Sequence, residues 1–203
     1  MQRLGNLLEP PVLPIVGSAL TRYYRNKLDY SCSDKKWLDR EQLNNLEANK
    51  GPALGYHIPG KFDKVLDIDE CFLQPDPSNA IRNTVKEYAL QHNLSFINLR
   101  NRAGLLRSLI IRSTLKGELM VIVMVYEDQR EELLGLMHHI SDKFPEITSL
   151  LYIINPKGND TFHDLPVIVF KGKDHILEEM EGLNFRIGPK SFFQTNPSQA
   201  LIL

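Results

Sequence analysis

The chain has 203 residues, 42% of them hydrophobic, which is enough to bury a core in one domain and excludes disorder as the default reading. A formal net charge of -1 excludes a general polyanion binder, because such affinity comes from many Lys and Arg contacts to phosphate, so any contact with nucleic acid must be local. Cys32 and Cys71, the two cysteines, are too few for a disulfide framework, and no apolar run approaches the roughly 20 residues of a membrane span or resembles a signal peptide, so a cytoplasmic protein without a membrane partner is expected.

In chain order, Arg3 to Leu7 reads as a helix end capped by Gly5, before the breakers Pro10, Pro11 and Pro14. From Tyr23 to Ser33 the chain alternates, with Tyr24, Asn26, Leu28, Tyr30 and Cys32 on one face and charged or polar residues on the other, which predicts a strand. Asp39 to Pro52 lacks apolar periodicity and reads as a mobile loop or short helix between paired strands. Asp76 is placed to cap a helix with Pro77 at its first position and Ile81, Val85, Tyr88 and Ala89 on its buried stripe, ending near Asn93.

Leu105 to Leu115 and Glu118 to Tyr126 predict a hairpin turning at Lys116-Gly117. Asp128 and Glu131 have capping-box spacing before a second helix, striped by Leu133, Leu134, Met137, Ile140 and Phe144. Strands are expected at Ser149 to Ile154, Pro166 to Phe170 and Leu183 to Ile187. Asn196, Pro197 and Gln199 then open a last helix that reaches only Leu203. An isolated helix shorter than about 12 residues is marginal, so the chain is expected to be a piece of a larger protein. Many strands with two segregated helices argue for an α+β fold: an antiparallel, sheet-rich domain with two main helices.

The run Lys190-Ser191-Phe192-Phe193-Gln194-Thr195-Asn196, followed by Gln199-Ala200, resembles the signature that leads into the catalytic domain of the RNA 5-methyluridine (uracil-C5) methyltransferases. Tyr24 to Tyr30, Leu54 to His57, Asp67 to Cys71, Gly104 to Arg112 and Ile154 to Thr161 are similar to that family's central domain, and in the same order. The resemblance implies a domain at residues 1–203, with a linker and truncated helix at 1–20, an α+β body at 21–190 and a junction at 191–203 leading to a Rossmann-like domain that binds S-adenosylmethionine (SAM). The partner it implies is RNA, ribosomal more than transfer. The rival reading is a non-catalytic RNA-binding module on the same scaffold.

Uracil C5 is a poor nucleophile. The usual chemistry adds a cysteine thiolate at C6, so that C5 becomes enolate-like and takes the methyl group before a base removes its proton. By resemblance, the thiol, the base and the SAM loop belong to the following domain. No catalytic residue is therefore expected here, and this piece alone is expected to be inactive. Gln194 is implied as a SAM contact, since a side-chain amide both donates and accepts. Phe192 is implied to stack on bases near the target, with Phe193 more core-like.

Arg25, Lys27, Arg107 and Arg112 fall in the matching stretches and are the candidates for phosphate. Asn155 to Asp160 reads as a structural turn, with phosphate contact through Lys157 the lesser reading. Cys32 reads as a core thiol. Cys71 lies where some relatives place the last cysteine ligand of an iron–sulfur cluster, whose other ligands would precede Met1; a cluster is thus expected only in a longer chain. The six histidines have no metal-ligand spacing.

Overall fold

The computed structural model describes residues 13–45 and 50–202. The helix end expected at Arg3 to Leu7 lies outside them, as does Leu203. The elements are β1 (Lys27–Ser33), α1 (Arg40–Asn44), β2 (Ala53–Ile58), β3 (Lys61–Asp67), α2 (Ser78–Gln91), β4 (Leu106–Ser113), β5 (Leu119–Val125), α3 (Arg130–Lys143), β6 (Ser149–Ile154), β7 (Ile168–Gly172), β8 (Ile176–Met180), β9 (Leu183–Ile187) and α4 (Pro197–Ala200). Strands β1 to β7 form one sheet in the order β3-β2-β1-β4-β5-β6-β7, and β8 and β9 form a separate hairpin. Among the paired strands of the described residues only β5–β6, bridged by α3, is parallel; the fold is α+β, as expected.

The alternation read in the sequence sets the layers. Leu28, Tyr30, Cys32, Leu109, Ile111, Val121, Val123, Leu150 and Tyr152 share one core with Ile81, Val85 and Ala89 of α2 and Leu133, Leu136, Met137 and Ile140 of α3. The intervening residues Ile110, Met120, Ile122, Met124, Leu151 and Ile153 form a second core on the other face, under Ile176, Ile187 and Phe193. With both faces covered, β5 is buried at every residue, which is why its sequence, Leu-Met-Val-Ile-Val-Met-Val, is continuously apolar. The β4–β5 hairpin turns where expected. Gly117 sits at φ 87, a region that favours glycine, and the Thr114 N–H donates to the Glu118 carbonyl at 3.0 Å.

Several expected details differ. Asp76 does not cap α2: the Asp76–Pro77 bond is cis and the helix has no side-chain cap. Its entry is tied instead by the Ser78 hydroxyl to Gln74 Oε1 at 2.7 Å, and by the Asn79 side chain, which accepts from the Cys71 N–H at 2.8 Å and donates to the Cys71 carbonyl at 3.1 Å. Asp128 does not cap α3 but pairs with Arg130 at 3.3 Å, and Leu136 takes the buried place expected of Leu134. Asp39 supplies a full capping box to α1, inside the segment expected to be a loop or short helix.

The expected elements do not include β2, β3 or β8. β2 begins with three residues buried in succession, so it does not alternate. β8 carries Glu178 on its buried side, where the Leu115 N–H donates to the carboxylate at 3.0 Å while burial raises the carboxyl pKa.

Candidate functional site

The segment from Gly188 to Gln199 crosses one end of the sheet, and two buried residues fix it there. Arg112, at the end of β4 and 4% exposed, donates from Nη1 to the Gly188 carbonyl and from Nη2 to the Ser191 carbonyl, both at 2.6 Å. Burial pushes its guanidinium pKa down while Asp29 raises it, and the two charge-assisted bonds hold the loop from beneath. Asn26 donates from Nδ2 to the Gln194 carbonyl and from its backbone N–H to the Thr195 carbonyl, both at 2.9 Å, and its own carbonyl accepts from the Ser113 N–H. The junction is therefore tied to β1 and β4 together.

On this support the two phenylalanines separate, as successive residues of an extended chain must. Phe193 packs on the second core, 5.8 Å from the Phe185 ring, whereas Phe192 is 85% exposed. Gln194 is exposed too, with its side chain beside a recess of about 250 Å³ that Thr195, Asn196, Gln199 and Ala200 also line. Asn196 caps α4 as its sequence implies, its Oδ1 accepting from the Gln199 N–H at 3.1 Å. A second recess of about 360 Å³ shares Thr195 and is lined by Arg25, Lys27 and Asp29. Lys27 pairs with Asp29 at 3.0 Å.

Of the expected RNA-contacting residues, Phe192, Arg25 and Lys27 thus gather around the junction with Gln194. Arg107 and Arg112 do not, and both are corrected here: each is buried and bonded to protein. Arg112 is a strut under the loop. Arg107, 2% exposed at the opposite end of β4, donates from Nη1 to the Asn155 carbonyl at 3.0 Å and the Lys157 carbonyl at 2.6 Å, and from Nη2 to Asp160 at 2.9 Å. A guanidinium so satisfied is a structural brace, because leaving it unpaired in the interior would cost several kcal/mol. The 155–160 segment is the structural turn expected, closed by the Asn155 side chain onto the Asn159 and Thr161 carbonyls. Lys157 pairs with Asp164 at 2.6 Å.

Asn26 went unmarked as a site residue although the sequence places it on the buried face of an alternating strand. A polar side chain there must find a partner, and its partner is the junction.

Cys32 is buried, and burial pushes its thiol pKa up. Cys71 is buried as well, its Sγ 3.4 Å from the Tyr56 hydroxyl. Two thiols, one on β1 and one in the loop before α2, do not fit a cluster that needs four thiolates, and no group of three or more His, Cys, Asp or Glu is placed to hold a metal among the described residues.

No family model matches the chain. It is 55% identical over 204 aligned residues to an uncharacterized RNA methyltransferase of Bacteroides thetaiotaomicron, covering 98% of this chain and 45% of that protein. A Porphyromonas gingivalis protein of the same description is 47% identical, with 98% and 44% covered. In three dimensions it is similar to a solved structure of a Pyrococcus abyssi tRNA (uracil-54, C5)-methyltransferase in complex with S-adenosyl-L-homocysteine, at a TM-score of 0.66 and 22% identity, over 93% of this chain and 40% of that one. Nearly the whole chain is thus similar to one part of these RNA methyltransferases. It spans less than half the length of the relatives it matches.

Proposed function

We propose that this chain is the central, RNA-facing part of a SAM-dependent enzyme that methylates C5 of a uridine in ribosomal or transfer RNA in the cytoplasm. Residues 1–20 would link it to what precedes, residues 21–190 form its body, and residues 191–203 lead into the domain that carries the thiol, the base and most of the SAM site. The chain alone would then be inactive. SAM, when bound, supplies the methyl group.

The observation that carries this reading is the junction loop. Its backbone is held by Arg112 and Asn26, yet Phe192 is left 85% exposed beside an exposed Gln194. An exposed ring on a backbone held from beneath is a surface on which an unpaired base can stack, and such a base is the partner that fits an RNA-modifying enzyme. Gln194, one residue beyond the partly buried Phe193, offers a donor and an acceptor at the recess where the cofactor's amino-acid end would lie. Arg25 and Lys27 flank the same junction and suit the phosphates of that RNA.

The test uses the intact natural protein. Gln194→Ala should weaken SAM binding about tenfold by calorimetry, the value of one good hydrogen bond in a dry site. Phe192→Ala should leave SAM affinity as it is and raise KM for the RNA. Unchanged SAM affinity in the first and unchanged RNA kinetics in the second would overturn the reading.

A further inference from the structure

Residues at the end of the sheet opposite the junction are not used by the reading above. The outward side of β3 carries Phe62 and Lys64, while Asp63 and Val65 between and beyond them are buried. Phe62 is 62% exposed, and the Arg100 guanidinium lies over its ring at 5.3 Å. The ring opens onto a cleft of about 290 Å³ whose other walls include Leu99, Arg102, Tyr126 and Lys157. That space takes one nucleotide and not a helix. On the other side of Phe62, Lys64 borders a recess of about 350 Å³ with Lys35, Lys36 and Lys50. Alternate residues of a strand stand about 6.6 Å apart, so the cleft and the lysine recess are adjacent parts of one strip.

Charge on this strip is unbalanced in one direction. Asp63 pairs with Arg100 at 2.5 Å, and Asp67 with Lys36 at 2.7 Å and Lys86 at 2.6 Å. Asp160 pairs with Arg107, Asp164 with Lys157, and Asp34 accepts from Asn98 Nδ2 at 2.7 Å. Lys35, Lys50, Lys64 and Arg102 form no salt bridge among the described residues, although Lys35 acts on Asp63 through its field. Of the two carboxylates that line these spaces, Asp160 is paired with Arg107 and Asp34 meets only a neutral amide, against the four cations without a salt bridge among the described residues, so the surplus is cationic. Unpaired cations on both sides of an exposed aromatic ring are the arrangement that tracks a single strand, with phosphates on the charges and a base on the ring.

We propose that this strip, from Arg102 across Phe62 to Lys64 and Lys35, is a second RNA contact that holds a single-stranded segment flanking the target. The proposal rests on the RNA reading above and adds a site to it. Arg107 and Arg112 mark the two ends of β4, five residues or about 17 Å apart, so one folded RNA can touch the strip and the junction at once. Arg107 braces the turn that places Lys157 at the cleft, and thus supports the strip from inside.

The experiment measures anisotropy of a labelled, uridine-rich single-stranded RNA on the intact natural protein over a series of KCl concentrations, beside a duplex of the same length. Phe62→Ala should weaken the single strand about 5- to 100-fold, leave the salt slope unchanged and affect the duplex less. The triple variant Lys35→Gln, Lys64→Gln, Arg102→Gln should lower the slope of log affinity against log salt by about 2. All four positions are at least partly exposed, and an unchanged melting temperature checks the fold. If both variants bind like the parent while Phe192→Ala does not, the strip is overturned and the junction reading stands. If the parent itself binds no RNA, the RNA reading fails and the strip with it.

Discussion

Arg107 and Arg112 each carry a permanent charge into the interior, where Arg112 is met by two backbone carbonyls and Arg107 by two carbonyls and the Asp160 carboxylate. Arg107→Ala should therefore destabilise the fold by about 1–3 kcal/mol for each buried acceptor it strands, measured by denaturant unfolding. A lysine cannot bridge both carbonyls and reach Asp160, so Arg107→Lys should not restore the parent's stability.

Asp67 presents the converse case. Burial pushes its carboxyl pKa up, but the hydrogen bonds from Lys36 and Lys86 outweigh burial and leave it below the ordinary carboxylate value. A carboxyl with a depressed folded pKa contributes stability that is present above its unfolded pKa and is lost as pH falls through the folded one, here below about pH 4. Asp67→Asn should cost about 1.5–3 kcal/mol at pH 7. It should also flatten the acid limb of stability between pH 4 and 2; an acid limb as steep as the parent's would remove Asp67 from this role.

Among the elements, the junction is the one whose place depends on few bonds. Its backbone leans on Asn26 and Arg112, and its apolar contact is Phe193 against Phe185 and the second core. Arg112→Ala removes two charge-assisted bonds together, each worth about 1.5–3 kcal/mol. The expected result is local: limited proteolysis should cut between Gly188 and Asn196 several times faster, while the sheet keeps its far-UV signal. Loss of the whole fold instead would mean that Arg112 supports the sheet and not the loop.

The molecule as a whole is organised around β5, which contributes Val121 and Val123 to one core and Met120, Ile122 and Met124 to the other. Two cores sharing one strand should unfold together. Ile122→Ala, at a fully buried position under the β8–β9 hairpin, should cost about 2–5 kcal/mol. It should also shift one common transition seen both by Trp37 fluorescence and by circular dichroism. Separate midpoints would show that the hairpin face melts on its own. The same layering is why both proposed RNA contacts lie toward the ends of β4: both faces of the central strands are covered, so the strand ends and the loops beyond them are left for a ligand.

Strict alternation in β1, the 3.6-residue stripes of α2 and α3 and the glycine turn of the β4–β5 hairpin each express a local rule, and the amino-acid order determined these elements and the α+β class they build. The Asn196 cap and the likeness of residues 190–200 to a methyltransferase signature were legible for the same reason: they depend on neighbours along the chain. The fates of Arg107 and Arg112 were not. A cation on a strand reads the same whether it meets solvent, phosphate or a buried carbonyl, and only the carbonyls of Asn155, Lys157, Gly188 and Ser191, 48 to 79 residues away, decided between them. Tertiary structure also decided that Phe192 is exposed while Phe193 packs on the second core, and that Phe62 stands between cations drawn from separate stretches of chain. Those outcomes depend on long-range packing and on which charges find partners, neither of which has a period in the sequence.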